Sequence, residues 1–161
     1  MQYKKLIISL ALPQLAGGLG VLFMGSSVSD WYQMLEKPFF NPPSWVFGPV
    51  WLTLYLLMGI SAYLIWSSYA KASAGQEKNN IKNSMNIYWA HLLLNASWTP
   101  IFFGLHNIAL AFFAIVALWI LILILIIKFY KISKTASYLL IPYITWVTIA
   151  TVLNASIWYL N

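Results

Sequence analysis

Residues 31–59 read WYQMLEKPFFNPPSWVFGPVWLTLYLLMG, a stretch that carries the chain from a polar connection into a long apolar run. Three prolines precede the apolar run, the last two at Pro42 and Pro43, and the run itself starts at Trp45. Proline fixes its own backbone torsion and disfavours helix at the residue before it. We therefore predict a stiff, non-helical segment over residues 40–44 that leads directly into a helix.

The composition indicates that lipid is the solvent for most of the surface. Of the 161 residues, 61% are hydrophobic and 7% are charged, whereas a soluble domain carries about 25% charged residues. The absence of cysteine excludes disulfides, thiolate nucleophiles and cysteine metal sites. All nine basic residues are lysines, so the bidentate guanidinium that favours phosphate is absent and we predict no nucleic-acid partner.

Five apolar runs predict an all-α integral membrane bundle of five transmembrane helices, which forms a single domain over residues 1–161. The predicted spans are residues 6–24, 45–69, 85–103, 108–127 and 138–160. The run 108–127 is almost uniformly aliphatic and is predicted to face lipid as a structural element. The polar connection 70–84 is predicted to be a solvated loop.

The first connection, residues 25–44, is long for a membrane bundle, and its aromatic residues and prolines argue against disorder. We predict that it is a lid formed in part by Trp31, Pro42, Pro43 and Trp45. For Trp45 a second interpretation stays open, because tryptophan is also enriched where helices enter the membrane interface.

Lysine is distributed very unequally between the two sides of the predicted bundle. Eight of the nine lysines precede the first span or lie in the second and fourth connections, and only Lys37 lies on the other side. The positive-inside rule then places the N-terminus in the cytoplasm and the C-terminus outside. We expect a bacterial cell membrane, with the choice between inner and outer membrane left open.

Helical spacing collects unusual side chains on one face of four spans. At a rise of about 1.5 Å per residue, these faces lie at similar depth in the outer half of the bundle, beneath the predicted lid. The faces comprise Pro13, Gly17 and Gly20; Phe47, Trp51, Tyr55 and Gly59; His91, Asn95 and Trp98; and Trp146, Ala150 and Asn154. We predict a pocket at this depth.

Aromatic, small and amide side chains together suit a flat, largely apolar ligand. Asn95 and Asn154 supply donors and acceptors without a buried charge. The alternatives are that these asparagines bond only between helices, and that Trp51 and Trp146 only pack in the core.

His91 is an ionisable group in the middle of a span, which makes it a functional candidate. It could ligate a haem iron or sense protons, although a neutral imidazole bonded to a neighbouring helix is the favoured interpretation. No Ser/His/Asp arrangement and no metal-ligand spacing is present in the sequence, so we predict neither hydrolytic chemistry nor a metal site.

Four motifs carry a resemblance to a known family: PQLAGGLG (13–20), WVFGPVW (45–51), LLLNASWTPIFFG (92–104) and PYITWVTIATVLN (142–154). They are distributed along the chain, and the resemblance extends over nearly all of it. They resemble the tryptophan-rich sensory protein family, TspO, also called translocator protein or peripheral-type benzodiazepine receptor.

The resemblance implies a five-helix membrane bundle, commonly a homodimer, that binds porphyrins such as protoporphyrin IX, haem, and synthetic isoquinoline carboxamide or benzodiazepine-type ligands, with no cofactor required. Some bacterial members degrade protoporphyrin IX in light, a role that the motif match transfers to Trp51 and Trp146. The matching ligand contacts are Trp51, Trp98, Ala150 and Asn154, with Gly17 and Phe47 nearby. Sterol binding is not expected, because Ala155 replaces a tyrosine of the animal pattern and no basic residue follows.

Three functions remain to be separated. The first is a receptor or sensor that binds tetrapyrroles, with light-dependent porphyrin degradation left open as an enzymatic activity. The second is a transporter of porphyrins or other apolar metabolites, or a stress regulator without turnover. The third is a scaffold whose aromatic residues only pack.

Overall fold

Helices are the regular elements in the part of the chain that the computed structural model describes, residues 2–22, 24–28, 30–73 and 75–161. The predicted all-α membrane bundle is confirmed. The elements are α1 (Gln2–Leu22), a 3-10 turn (Gly25–Val28), α2 (Trp31–Met34), α3 (Ser44–Lys71), α4 (Gln76–Thr99) with a π-helical extension (Pro100–Gly104), α5 (Ile108–Tyr130), α6 (Lys134–Tyr138) and α7 (Ile141–Leu160).

Five of these helices are long, and they correspond to the five predicted spans. Among the described residues, four segments are long and apolar enough to cross a membrane: Tyr3–Leu22, Ser44–Lys71, Ile108–Tyr130 and Lys134–Leu160. Helix α4 is as long as the others, but its first half is polar, so composition alone does not mark it as a span.

Helix α4 begins at Gln76, so the prediction of a solvated loop over residues 70–84 is wrong for its second half. Gln76 Nε2 donates to Asn80 Oδ1 at 3.0 Å, one turn further along the helix. Ile81 is buried on the opposite side of this turn. The polar stretch is therefore the amphipathic first part of the helix. Composition did not predict it, because charged and amide residues dominate this stretch.

Helix α5 also differs from its prediction as a lipid-facing element. Ala111, Ile115, Leu118 and Ile122 follow helical spacing and are buried against α4 and α7. In a segment that is apolar on every side, composition cannot distinguish the inward face from the lipid face. The structure therefore assigns α5 to the core as well as to the membrane surface.

The last predicted span begins later than expected. Residues 134–138 form the separate short helix α6, and α7 starts at Ile141. Pro142 is the second residue of α7, a position where its missing N–H costs no helical hydrogen bond.

The long helices pack in the ring order α1, α3, α7, α5 and α4, and α3 also contacts α4 across the ring. The two ends of this ring differ. The loop end carries residues 24–28, 30–44 and 104–107 and Asn161, whereas the lysine end carries every lysine except Lys37. The predicted segregation of lysine to one end of the bundle is thus present in the fold.

Candidate ligand-binding cavity

A cavity of about 450 Å³ opens between the helices towards the loop end. This volume falls within the range of about 300–1,000 Å³ that is usual for small-molecule sites. All five long helices contribute to its wall, and the described lining contains no charged side chain. Of the predicted pocket residues, the lining includes Gly17, Phe47, Trp51, Tyr55, Asn95, Trp98, Trp146, Ala150 and Asn154.

Helices α3 and α7 supply one aromatic side of the cavity. Trp51 stacks on Tyr55, with ring centroids 5.3 Å apart and planes inclined by 30°. Phe47 meets Trp146 edge-on at 5.7 Å. These are the offset-stacked and edge-to-face arrangements that aromatic pairs prefer, and they hold the rings in fixed positions.

Helix α4 and its π-helical extension supply a second aromatic side. Leu105 N donates to Pro100 O at 2.9 Å, which is the wider turn that defines the extension. Trp98 stacks on Phe102, with ring centroids 5.0 Å apart and planes inclined by 16°, and Phe103 joins the same wall. The sequence analysis missed Phe102 and Phe103, although the four-residue interval from Trp98 to Phe102 is the signal that would have found the first of them.

The polar groups of the cavity are few, and some have no partner. In the described part of the chain, five buried side-chain polar atoms lack a hydrogen-bond partner. Three of them belong to cavity-lining residues: Oδ1 and Nδ2 of Asn154, and Nε1 of Trp146. Because buried polar groups are almost always paired, these unpartnered atoms on residues beside the cavity need an explanation, and a bound ligand would provide one.

A hydrogen-bonded chain that joins α3, α4 and α7 begins at the floor of the cavity with Tyr55 and Asn95 and continues behind it. Tyr55 Oη donates to Asn95 Oδ1 at 3.1 Å, and Asn95 Nδ2 donates to Tyr143 Oη at 2.8 Å. The hydroxyl of Tyr143 lies 3.2 Å from His91 Nε2, and His91 Nδ1 lies 2.9 Å from the Tyr88 carbonyl. Asn95 is thus fully engaged within the protein, unlike Asn154.

His91 is fully buried and lies behind the floor rather than in the cavity lining. Both of its ring nitrogens have protein partners, one of them on α7. The sequence analysis favoured an imidazole bonded to a neighbouring helix, and the structure has this arrangement. The structure offers no route by which His91 itself could reach a ligand in the cavity as it stands.

Comparison with known proteins decides the family. The family model described as TspO/MBR matches residues 9–160. The chain belongs to the TspO/MBR family. It is 38% identical to the tryptophan-rich protein TspO of Archaeoglobus fulgidus over all of this chain and 99% of that protein. It is 37% identical to protein CrtK of Rhodobacter capsulatus, with 91% of this chain and 86% of that protein covered. It is 34% identical to the human translocator protein, with 91% of this chain and 83% of that protein covered.

In this TspO/MBR-family protein, α1 closes the remaining side of the cavity through glycines. A Cβ atom placed on Gly17 would clash with the Tyr55 ring, and one on Gly20 would lie 3.1 Å from Thr99 Oγ1. The predicted small-residue face of α1 is therefore confirmed as a surface of close approach, to α3 at Gly17 and to α4 at Gly20.

Part of the 25–44 connection borders the cavity; we keep the name lid for this segment, whose covering role stays a prediction. Residues 36–43 are non-helical, so the predicted non-helical segment is confirmed over residues 40–43, whereas Ser44 is already the first residue of α3. Val28, Tyr32 and Ser44 line the cavity directly. Burial raises the pKa of the Tyr32 phenol, while its hydrogen bond to Asn41 acts in the opposite direction, so this phenol stays neutral at physiological pH.

The four residues predicted to form the lid lie outside the cavity lining. Trp31 contacts the cavity wall rather than the cavity itself. Its ring stacks on His106, with centroids 4.3 Å apart, and meets the wall residue Phe102 edge-on at 5.4 Å. Pro42 and Pro43 shape the non-helical segment before α3. Trp45 is 75% exposed, which agrees with the alternative interpretation as a residue of the membrane interface.

The lid is fastened to the end of α7. Asn161 Oδ1 accepts from the backbone N–H of Glu36 at 3.0 Å, and Asn161 Nδ2 donates to the Glu36 carbonyl at 3.1 Å. One side chain thus satisfies both backbone groups of a loop residue. Sequence spacing could not have revealed this contact, because the two residues are 125 positions apart.

Replacing Asn161 by alanine is expected to loosen the lid without unfolding the bundle. Each lost bond contributes about 0.5–1.5 kcal/mol, and less where it is exposed to solvent as here. Amide hydrogen exchange should accelerate over residues 31–41 and remain unchanged in α5. Asn107, whose side chain caps α5, offers a control at the same end, because its replacement should affect the start of α5 and leave the lid protected.

Proposed function

We propose that this protein is a membrane receptor for flat, largely apolar rings of the tetrapyrrole class, such as protoporphyrin IX or haem, bound in the cavity beneath the lid. The observation that carries the proposal is the pair of unpartnered groups in the wall, the amide of Asn154 and the indole N–H of Trp146. Leaving them unpaired costs free energy in the ligand-free protein, and a ligand with polar atoms at its edge removes that cost.

The remaining lining favours the same class of ligand. Large aromatic faces provide stacking area at low entropic cost, and a wall without charges does not oppose an apolar ring. Asn154 can donate to a carboxylate or carbonyl oxygen and can accept from a ring N–H, whereas Trp146 can only donate. Charged substituents of such a ring would extend towards the loop end, where the cavity wall meets water.

Light-dependent degradation of a bound porphyrin is a second candidate function. The supporting observation is that Trp51 and Trp146 both line the cavity, where an indole can give an electron to an excited ring. The ligand would supply the photochemistry, and the protein would position it and exclude water. Transport of porphyrins or other apolar metabolites, and stress regulation without turnover, use the same cavity and remain alternatives.

The membrane placement is part of the proposal. Under the positive-inside rule, the lysine end faces the cytoplasm, so the N-terminus is inside and the C-terminus, the lid and the cavity mouth are outside. Binding of synthetic isoquinoline carboxamide or benzodiazepine-type compounds to the same cavity, and assembly as a homodimer in a bacterial membrane, stay predictions from the family resemblance.

Titration with protoporphyrin IX tests both functions. Quenching of intrinsic tryptophan fluorescence in the dark measures binding, and loss of the Soret band during illumination measures degradation. Trp51→Phe and Trp146→Phe should each weaken binding by about 2- to 10-fold through lost contact, and should slow any light-dependent bleaching. Trp66→Phe is the matched control, because Trp66 packs against Trp89 at the lysine end.

The outcomes separate degradation, binding without turnover and a scaffold function. Saturable quenching with bleaching that depends on Trp51 and Trp146 supports degradation. Saturable quenching with no bleaching beyond that of free porphyrin supports a receptor, carrier or regulator without turnover. The absence of saturable quenching contradicts tetrapyrrole binding and leaves the scaffold function.

A further inference from the structure

We propose that Tyr143, with His91 as proton acceptor, is an electron donor that restores an oxidised Trp51, so that a redox relay lies behind the cavity wall. The inference rests on the proposed function, because the oxidant is a photoexcited tetrapyrrole ring held against Trp51. It concerns two residues that do not line the cavity and that the binding site therefore leaves unexplained.

The two rings are close enough for direct electron transfer. Trp51 lines the cavity, and Tyr143 is fully buried on the protein side of it. Their ring centroids are 6.3 Å apart in an edge-to-face arrangement, so no other group separates them. An electron can pass from the phenol to the indole without either residue moving.

The hydrogen bonds determine where the phenolic proton goes. Asn95 Nδ2 donates to Tyr143 Oη at 2.8 Å, so the hydroxyl proton must point elsewhere. The Tyr88 carbonyl can only accept, so His91 Nδ1, at 2.9 Å from it, carries the imidazole proton. His91 Nε2 is then an acceptor, and it lies 3.2 Å from the Tyr143 hydroxyl.

The steps balance in electrons and protons. The excited ring takes one electron from Trp51 and becomes a radical anion, which leaves an indole radical cation. Tyr143 gives one electron to Trp51 and its phenolic proton to His91 Nε2. The products are a neutral indole, a neutral tyrosyl radical and an imidazolium that donates to Tyr88 and Tyr143. The cycle closes when the ring anion returns its electron to the tyrosyl radical and His91 returns the proton.

Neighbouring tyrosines lack the proton acceptor that this role requires. Tyr55 donates to the amide oxygen of Asn95 at 3.1 Å, and Tyr88 donates to the carbonyl of Met58 at 3.3 Å. Neither acceptor is a base, so oxidation of these phenols would leave a proton with no group to receive it. The relay protects the wall indole from permanent oxidation and lengthens the time for which charge stays separated.

Laser-flash experiments on the full chain in detergent, with bound protoporphyrin IX, test the relay through electron paramagnetic resonance and transient absorption. The wild type should show a tryptophan radical that converts to a neutral tyrosyl radical, more slowly in D₂O. Tyr143→Phe should lose the tyrosyl signal, and His91→Gln should lose it while keeping a hydrogen-bond acceptor at the same place. Tyr88→Phe, which removes a phenol that donates to the Met58 carbonyl and does not line the cavity, should keep it.

A purely structural role for Tyr143 and His91 would change stability and leave the radical sequence of folded protein unchanged. The relay is overturned if the tyrosyl signal persists in folded Tyr143→Phe. It is also overturned if wild type binds porphyrin saturably and shows no tyrosyl signal. If porphyrin does not bind, the proposed function fails, and ultraviolet photoionisation of the ligand-free protein still tests the relay. In that experiment the tyrosyl signal should depend on both Trp51 and Tyr143, and its independence of either residue contradicts the inference.

Discussion

Replacing Asn154 by leucine is expected to stabilise the ligand-free protein and to weaken tetrapyrrole binding. Both amide atoms of Asn154 are buried without a partner in the described structure. Because an unsatisfied buried polar group costs about 1–3 kcal/mol, its removal should raise the free energy of unfolding by a similar amount. Leucine has similar volume, so repacking should cost little.

Binding should change in the opposite direction. The leucine variant cannot form the hydrogen bond that Asn154 offers to a ligand, a loss of about 1–3 kcal/mol, which corresponds to ~5- to 150-fold in Kd. Fluorescence quenching by protoporphyrin IX measures the Kd, and far-ultraviolet circular dichroism during titration with a denaturing detergent measures the unfolding free energy.

Asn95 provides the matched control, because it is the same residue type in the same cavity wall but is fully engaged with Tyr55 and Tyr143. Asn95→Leu breaks this chain: Tyr55 loses its acceptor and Tyr143 keeps only His91, so the substitution should lower the free energy of unfolding. If Asn154→Leu also lowers stability, then Asn154 acts as a bond between helices, which is the alternative that the sequence left open.

The two asparagines show where sequence analysis reaches its limit. Helical spacing predicted that both Asn95 and Asn154 lie on inward faces at the same depth, and the structure places both in the cavity wall. Spacing cannot tell which amide finds partners, since that depends on phenols from other helices. Tyr55 and Tyr143 form hydrogen bonds with the amide of Asn95, whereas no described group forms one with the amide of Asn154. The position of the site was therefore predictable, whereas its polar chemistry required coordinates.

The same distinction applies to whole elements. The start of α3 followed from proline chemistry at Pro42 and Pro43, which is local and independent of the rest of the fold. The inward face of α5 and the π-helical extension after Pro100 were not predictable from local sequence. The first depends on which neighbours pack against an all-apolar helix. The second depends on a hydrogen bond from Leu105 that competes with ordinary helical bonding.

Replacing Gly59 by alanine is expected to produce the largest loss of stability among the described glycines. A Cβ atom at this position would lie 2.7 Å from the Ser9 carbonyl oxygen and 2.9 Å from Leu10 Cα, both of them backbone atoms. A flexible side chain could move aside, but backbone contact can be relieved only if α1 and α3 separate along their interface. Overpacking of this kind costs about 1–3 kcal/mol, and occasionally more.

Gly18→Ala, on the facing helix α1, is the matched control, because a Cβ atom there meets nothing within 4 Å. Alanine gains about 0.8–1.0 kcal/mol of helix propensity over glycine at both positions, so the difference between the two variants isolates the steric cost at Gly59. Unfolding in denaturing detergent, followed by far-ultraviolet circular dichroism, should rank the proteins Gly18→Ala, wild type and Gly59→Ala from most to least stable. Equal stability of the two variants would mean that α1 can move away from α3 at no cost. In that case the wall that α1 contributes through Gly17 would not be fixed in position against Tyr55, and the shape of the cavity would no longer follow from the packing of the ligand-free bundle.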